Sequence, residues 1–239
     1  MTIRTKTIDY RDGAVELQGY LAWDDAIEGQ RPGVMISHAW AGRGDFENGK
    51  AQDLARLGYA GFALDLYGRG VLGTSTEENS ALMQPFLDDR EILQNRLRLS
   101  LDVLKDQDEI ESTQVAAMGF CFGGLCVLDL ARTGADLKGV ISFHGLFGSP
   151  GNTTGNKIKA KVLALHGWDD PMATPDQVVA LAEELTSMGA DWQIHGYGNT
   201  MHAFTNPEAN DPDFGTVYDA DADRRSWNAM QNFLSEILD

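Results

Sequence analysis

Three residues far apart in the chain have the types and surroundings that nucleophilic catalysis needs. The first is Cys121, in the run Met118-Gly119-Phe120-Cys121-Phe122-Gly123-Gly124. An apolar run ending at Met118 precedes it, and LCVLDLA follows it with helical character. Gly119-Phe120-Cys121-Phe122-Gly123 has the spacing of the nucleophile elbow G-x-S-x-G, with cysteine in place of serine. Such a strand-to-helix turn is so tight that the residues two before and two after the nucleophile must be tiny. The helix that follows points the positive end of its dipole at the thiol. It also offers the backbone N–H of Phe122 to an oxyanion. The bland alternative is a glycine-rich turn that only packs a helix on a sheet, with Cys121 as a small buried residue. The strand before and the helix after weigh against it. Cys126 sits mid-helix without flanking glycines and reads as structural.

A thiol nucleophile needs a base, and the base needs a group that fixes its tautomer. KVLALHGWDDPMATP places Asp169 and Asp170 directly after an apolar run. Pro171 biases its predecessor toward an extended conformation, which favours Asp170 as the acid over Asp169. The alternative is an Asp-Asp-Pro turn that merely starts a helix. His202, in YGNTMHAF, completes the chain order nucleophile, acid, histidine and is the expected base. His144, His166 and His195 lie in or just after strands and read as packed or hydrogen-bonded histidines. SHAWAG, after GVMI, is the expected source of a second oxyanion amide, from Ala39 or Trp40. His38, Trp40 and Phe204 are candidates for lining the pocket. The chemistry of this set is acyl transfer without a metal or cofactor. The cysteines and histidines form no close-spaced ligand cluster, and the Asp-rich stretch 219–223 lacks the glycine and final glutamate of a calcium loop. That stretch reads as a solvated helix start.

Such residues need a scaffold that delivers them from strand ends. Apolar runs at 33–38, 59–66, 115–120, 139–143 and 161–166 read as strands buried on both faces. Val15, Leu17 and Leu21 mark an alternating outer strand, and 191–197 the last strand. Leu93, Leu97, Leu101 and Leu104 form one helical stripe, and Val178, Leu181, Ala182 and Leu185 another. The second helix starts with Thr174 as N-cap, Pro175 and Gln177, and Gly189 is placed to stop it. Trp227, Met230, Leu234 and Ile237 share a face of the final helix. This alternation predicts a single α/β domain over 1–239, a mostly parallel sheet flanked by helices on both faces. Ligands bind such sheets beyond the carboxyl ends of the strands, where the three residues fall.

Composition narrows the partners. The 239 residues carry 36 acidic against 19 basic side chains, a formal charge of −17, with no basic run. Nucleic acid and anionic membranes both require a cationic footprint and are excluded as expected partners. The first residues are polar, without a signal-peptide core, and no apolar run approaches a membrane span, so a cytoplasmic location is expected. Oligomeric state is left open.

These residues together resemble the dienelactone hydrolase family of the α/β-hydrolases. The resemblance runs through GFCFGG, the Asp-Pro pair after a strand, and YGNTMHAF with its His-x-Phe. It implies an α/β-hydrolase fold and hydrolysis of small esters or lactones, with Cys121 as nucleophile, Asp170 as acid and His202 as base. Two departures bear on substrate. Members that open dienelactone have a Gln-Glu pair where His38-Ala39 align, and an arginine for the substrate carboxylate where this chain has Asn206. A broad carboxylesterase, an amide or thioester hydrolase, and a non-catalytic ligand-binding member are the alternatives. Arg43, Arg69 and Arg90 remain open as carboxylate partners. The segment 68–80 is read either as a cover over the pocket or as plain surface.

Overall fold

The outer strand expected near Val15 is the second of an antiparallel pair, β1 (Ile3–Asp12) and β2 (Val15–Asp24). β1 escapes a reading of the sequence because none of its side chains is fully buried, so it carries no apolar run. The computed structural model describes residues 2–238, and the ends of the expected 1–239 domain lie outside the described residues. The described chain divides between Met118 and Gly119 into two compact units.

The first unit continues with β3 (Arg31–Ser37), α1 (Asp45–Arg56), β4 (Ala60–Ala63), α2 (Thr76–Asp88), α3 (Arg90–Lys105) and all but the last two residues of β5 (Ile110–Phe120). Its strands lie in the order β1-β2-β4-β3-β5, with β2 and β4 antiparallel and β3 and β4 parallel. The run 59–66 yields only a four-residue strand. The chain then turns over the Asp65 carboxylate, whose Oδ1 accepts the N–H groups of Tyr67 at 3.0 Å and Gly68 at 2.9 Å. Residues 76–80, expected to be loop, instead open α2 behind Ser75, whose side chain caps the Glu78 N–H. All four leucines of the predicted stripe, Leu93, Leu97, Leu101 and Leu104, are buried on α3.

Helices cover both faces of this unit's sheet, as the glycines reveal. A Cβ on Gly61 would meet the Ala51 backbone of α1 at 2.6 Å, while one on Gly33 would meet Leu104 of α3 and Ile110. Gly33 pairs with Ala60, so Gly61 is one step along and faces the other way.

The second unit contains α4 (Phe122–Arg132), β6 (Gly139–Phe143), β7 (Lys161–Gly167), α5 (Pro175–Ser187), β8 (Trp192–Tyr197), a two-stranded ribbon of β9 (Asn210–Asp211) and β10 (Thr216–Val217), and α6 (Ala220–Leu238). β6, β7 and β8 are parallel neighbours in that order. Gly139 faces Phe233 and Ile237 of α6, and Ser142, three residues on, faces Gly124 of α4. Here too the strand has a helix on each face. α5 has the expected capping box of Thr174 and Gln177, and it ends at Met188 ahead of Gly189, whose φ is 74°. The Asp-rich stretch starts α6, with Asp219 accepting the Ala222 N–H at 2.8 Å. No helix among the described residues is long and apolar enough to cross a membrane.

Two glycines give opposite expectations. Gly61→Ala forces α1 off β4 against backbone atoms that cannot swing away, and should cost about 1–3 kcal/mol. Gly49, inside α1, has only open space within 4 Å of where an alanine methyl would sit. Gly49→Ala should therefore stabilise by roughly 0.5–1 kcal/mol through helix propensity. Paired thermal melts read both; a lower Tm for Gly49→Ala or an unchanged Tm for Gly61→Ala contradicts the packing described.

Candidate active site

Cys121 lies between the last residue of β5 and the first of α4, with φ 55° and ψ −117°. A non-glycine residue held there stores strain that its surroundings must maintain. They do so through both peptide groups. The Cys121 N–H is shared between Phe143 O at 3.0 Å and His144 Nδ1 at 3.2 Å, and its C=O accepts from Gly124 N at 2.9 Å. The glycine spacing has the expected cause, because a Cβ on Gly119 would lie 2.1 Å from Gly123 O. Phe122, fully buried, opens α4. Cys121 is half-buried and Cys126 fully buried.

Asp170 and His202 meet inside the same unit. Asp170 Oδ2 accepts from His202 Nδ1 at 2.7 Å, and Asp170 Oδ1 accepts from Met172 N at 2.8 Å. Asp169, by contrast, is exposed. The His202 backbone is tied on both sides, its N–H to Gly215 O at 3.0 Å and its C=O to Val217 N at 3.1 Å. The residue is 1% exposed. Burial disfavours a charge there, yet Cys121, by charge, and then Asp170, by its hydrogen bond, outweigh it and raise His202 to about 10. His202 Nε2 is buried without a partner in regular hydrogen-bond geometry, although Cys121 also acts on the ring as a hydrogen-bonding group.

His144, which reads from sequence as a packed histidine, accepts the backbone N–H of Cys121. Its Nε2 lies 2.8 Å from Thr205 Oγ1, and its ring stands edge-on to His202 and Phe204, with centroids 5.1 Å away in each case. The only sequence signal for it is its position just after a strand. His166 is fully buried, packed near Phe147 and Trp168, and neither ring nitrogen has a partner. Burial holds it below its ordinary basicity. His195 lies half-buried in β8.

Two of the three expected pocket-lining residues, Phe204 and His38, are fully buried. Phe204 is 0% exposed and presents its ring to His144 and Tyr197 instead of to open space. His38, in the first unit, is also 0% exposed. Its Nε2 accepts from Leu66 N at 3.2 Å, which leaves Nδ1 to donate to Ala39 O at 2.6 Å. This histidine braces the turn after β3, and burial keeps it neutral. The Ala39 N–H already reaches Glu47 Oε1 at 3.3 Å. Trp40 is half-buried, and its carbonyl accepts the Tyr67 hydroxyl at 2.9 Å.

Two of the three arginines are committed elsewhere. Arg43 donates to Gln18 O and Asn48 Oδ1, both at 2.9 Å, and Arg69 pairs with Asp9 at 3.7 Å on the surface. The Asn206 side chain accepts the Glu208 N–H at 3.1 Å and closes a turn. Among the described residues no group of three or more His, Cys, Asp or Glu side chains is arranged to hold a metal ion.

Comparison with known proteins identifies the family and the fold. The sequence profile of the Dienelactone hydrolase family matches residues 17–238. A crystal structure of a dienelactone hydrolase-like promiscuous phosphotriesterase from metagenomic libraries superposes with a TM-score of 0.93 at 37% identity, covering 100% of both chains. That likeness makes this an α/β-hydrolase fold. Protein usf of Aquifex pyrophilus is 26% identical over 97% of this chain and 98% of its own. A putative carboxymethylenebutenolidase of Synechocystis is 26% identical over 99% of this chain and 98% of its own.

The raised basicity of His202 has a definite sign for stability. Its contribution is complete below about pH 6.5, the ordinary histidine value, and is lost as pH rises toward about 10. Imidazole NMR should find the His202 ring still protonated at pH 8. Asp170→Asn and Cys121→Ser should each lower its titration midpoint, and Asp169→Asn should leave it in place. A midpoint near the ordinary value in the unaltered protein contradicts the arrangement.

Proposed function

The chain belongs to the dienelactone hydrolase family and is a hydrolase acting on ester bonds, and from that premise we propose that it opens small neutral esters or lactones through a thioester on Cys121. The observation that carries the reading is the buried His202 ring, held between Asp170 at 2.7 Å and the sulfur of Cys121. A structural histidine needs neither the carboxylate nor the thiol.

In the proposed cycle His202 starts with a proton on each nitrogen, and the attacking form of Cys121 is the thiolate. The sulfur attacks the carbonyl carbon, and the electron pair moves onto the carbonyl oxygen, where the Phe122 N–H at the start of α4 stabilises it. Collapse expels the alkoxide, which takes the proton from His202 Nε2. A lactone opens at this point without losing a fragment. Acylation also changes the base. The sulfur no longer carries charge, so the largest influence raising His202 disappears while burial persists. The ring becomes less basic and stays neutral, ready to accept a proton from water. Hydroxide adds to the thioester, the thiolate leaves, and His202 is an imidazolium again. The reading takes 1–239 as one catalytic domain, in line with a family match over 17–238. It places the chain in the cytoplasm, where a thiol stays reduced.

The preference for neutral substrates follows from charge. Asn206 offers no cation, Arg43 and Arg69 are engaged, and the chain carries −17 overall. An anionic substrate would approach against that field. The structural neighbour's description as a promiscuous phosphotriesterase suits this reading, since a phosphotriester is also uncharged.

Mass spectrometry of protein quenched during turnover of a slow neutral ester should find the acyl group on Cys121. An acyl group on another residue, or hydrolysis undiminished in Cys121→Ala, rules the thioester out. Neutral lactones should show higher kcat/KM than carboxylate-bearing lactones of matched size, and the gap should narrow as salt is raised. The reverse preference would mean that a cation recognises the substrate.

A further inference from the structure

We propose that His144 is a positioning residue, a neutral imidazole that ties the backbone amide of Cys121 to the loop carrying His202 and so holds thiol and base in register. The inference rests on the proposed roles of those two residues. His144 stands at the end of β6, where its N–H donates to Leu165 O at 2.8 Å. Its ring lies between two segments that come from different parts of the chain.

The protons can be assigned from the partners. The Cys121 amide is a donor, so His144 Nδ1, 3.2 Å away, must present a lone pair. The ring hydrogen is therefore on Nε2, directed at Thr205 Oγ1 at 2.8 Å. Thr205 is three residues after His202 and 2% exposed, and Phe204 between them packs edge-on against the same ring. One side chain thus bonds the nucleophile's peptide at one nitrogen and the base's loop at the other. Protonation would place an N–H against the Cys121 N–H and break the link. Burial, reinforced by the nearby charge of His202 and less strongly by His166, keeps the ring well below its ordinary basicity and so neutral. The titratable groups around it are Cys121, His202 and His166, with Asp170 behind His202.

The backbone here is wedged as well as bonded. His144 has a φ of 37°, a left-handed conformation that costs a non-glycine residue energy. A Cβ on the next residue, Gly145, would lie 2.1 Å from Ser142 Oγ and 3.0 Å from the Gly124 backbone in α4. The ring therefore cannot relax away from the elbow without moving the helix start. A phenylalanine in its place would fill the volume and leave the Cys121 amide and the Thr205 hydroxyl without the bridge. This separates a positioning role from simple packing.

The test uses His144→Phe, Thr205→Val, their combination and Thr205→Ser, each first checked for folding by thermal melting. Alkylation of Cys121 by iodoacetamide at neutral pH needs no substrate. It should slow about tenfold in His144→Phe and in Thr205→Val, since small misplacements of reacting groups cost one to two orders of magnitude. The alkaline limb of kcat/KM on a neutral ester, which reports His202, should fall by on the order of one pH unit in both, as the sulfur's influence on the ring weakens. Thr205→Ser should retain both properties, and the double variant should be no worse than the poorer single one, because the two residues form one link. Folded single variants with unchanged alkylation and an unmoved limb overturn the inference, as do additive losses in the double variant. If unaltered protein is alkylated no faster at Cys121 than at Cys126, it is the proposed nucleophile that fails.

Discussion

Burying a charged imidazole is expensive unless anionic partners face it closely. His202 is 1% exposed and still more basic than an ordinary histidine, because the Cys121 sulfur and the Asp170 carboxylate act on the same ring. This pairing explains much of the local architecture. Asp170 cannot rotate away, since its second oxygen is bonded to the Met172 amide. The His202 backbone is fastened through both of its polar groups. The thiol is brought in by a residue at φ 55°, a conformation a cysteine does not keep without restraint. Strain at Cys121 accompanies the placement of its sulfur in front of a helix start, and the close packing around Gly119, Gly123 and Gly124 helps to hold it.

A cysteine also changes what the base must do. Beside a serine hydroxyl, a histidine rests neutral and first removes a proton. In the proposed cycle the histidine beside the sulfur rests protonated, so the proton destined for the leaving group is present before substrate arrives. On that proposal, the charge that sustains it belongs to the atom that acylation would neutralise. The proposed switch from acid to base would then follow from the loss of charge on sulfur.

The strands around the site were legible because they are buried on both faces and so carry unbroken apolar runs: 139–143 and the run beginning at 161 match β6 and β7 closely. β1, α1 and α2 were not, for different reasons. β1 has no buried side chain to reveal it. In α1 the buried face includes Glu47, which a search for apolar periodicity counts as polar. α2 buries only Phe86, so its helical form depends on the Ser75 cap and local propensity more than on a stripe. The run 59–66 looked like a long strand because Leu64 and Leu66 are buried, but burial there follows a turn around Asp65.

The histidines show where sequence order is informative and where it stops. Chain order and loop position singled out His202, and the structure brings it to Asp170. Nothing in the sequence distinguishes the environments of His38, His144 and His166, each of which follows or ends an apolar run just as the site residues do. All three are buried and less basic than usual, because burial prevails. They differ in hydrogen bonds: His38 spans the Leu66 amide and the Ala39 carbonyl, His144 spans the Cys121 amide and Thr205, and His166 has no bonded nitrogen. Contacts between residues 23 and 61 positions apart give His144 its place beside Cys121. Spacing rules describe what a turn or a helix requires of its own residues. They carry no information about which distant amide will demand a lone pair, and the assignment of a neutral, bridging imidazole therefore has to come from the folded chain.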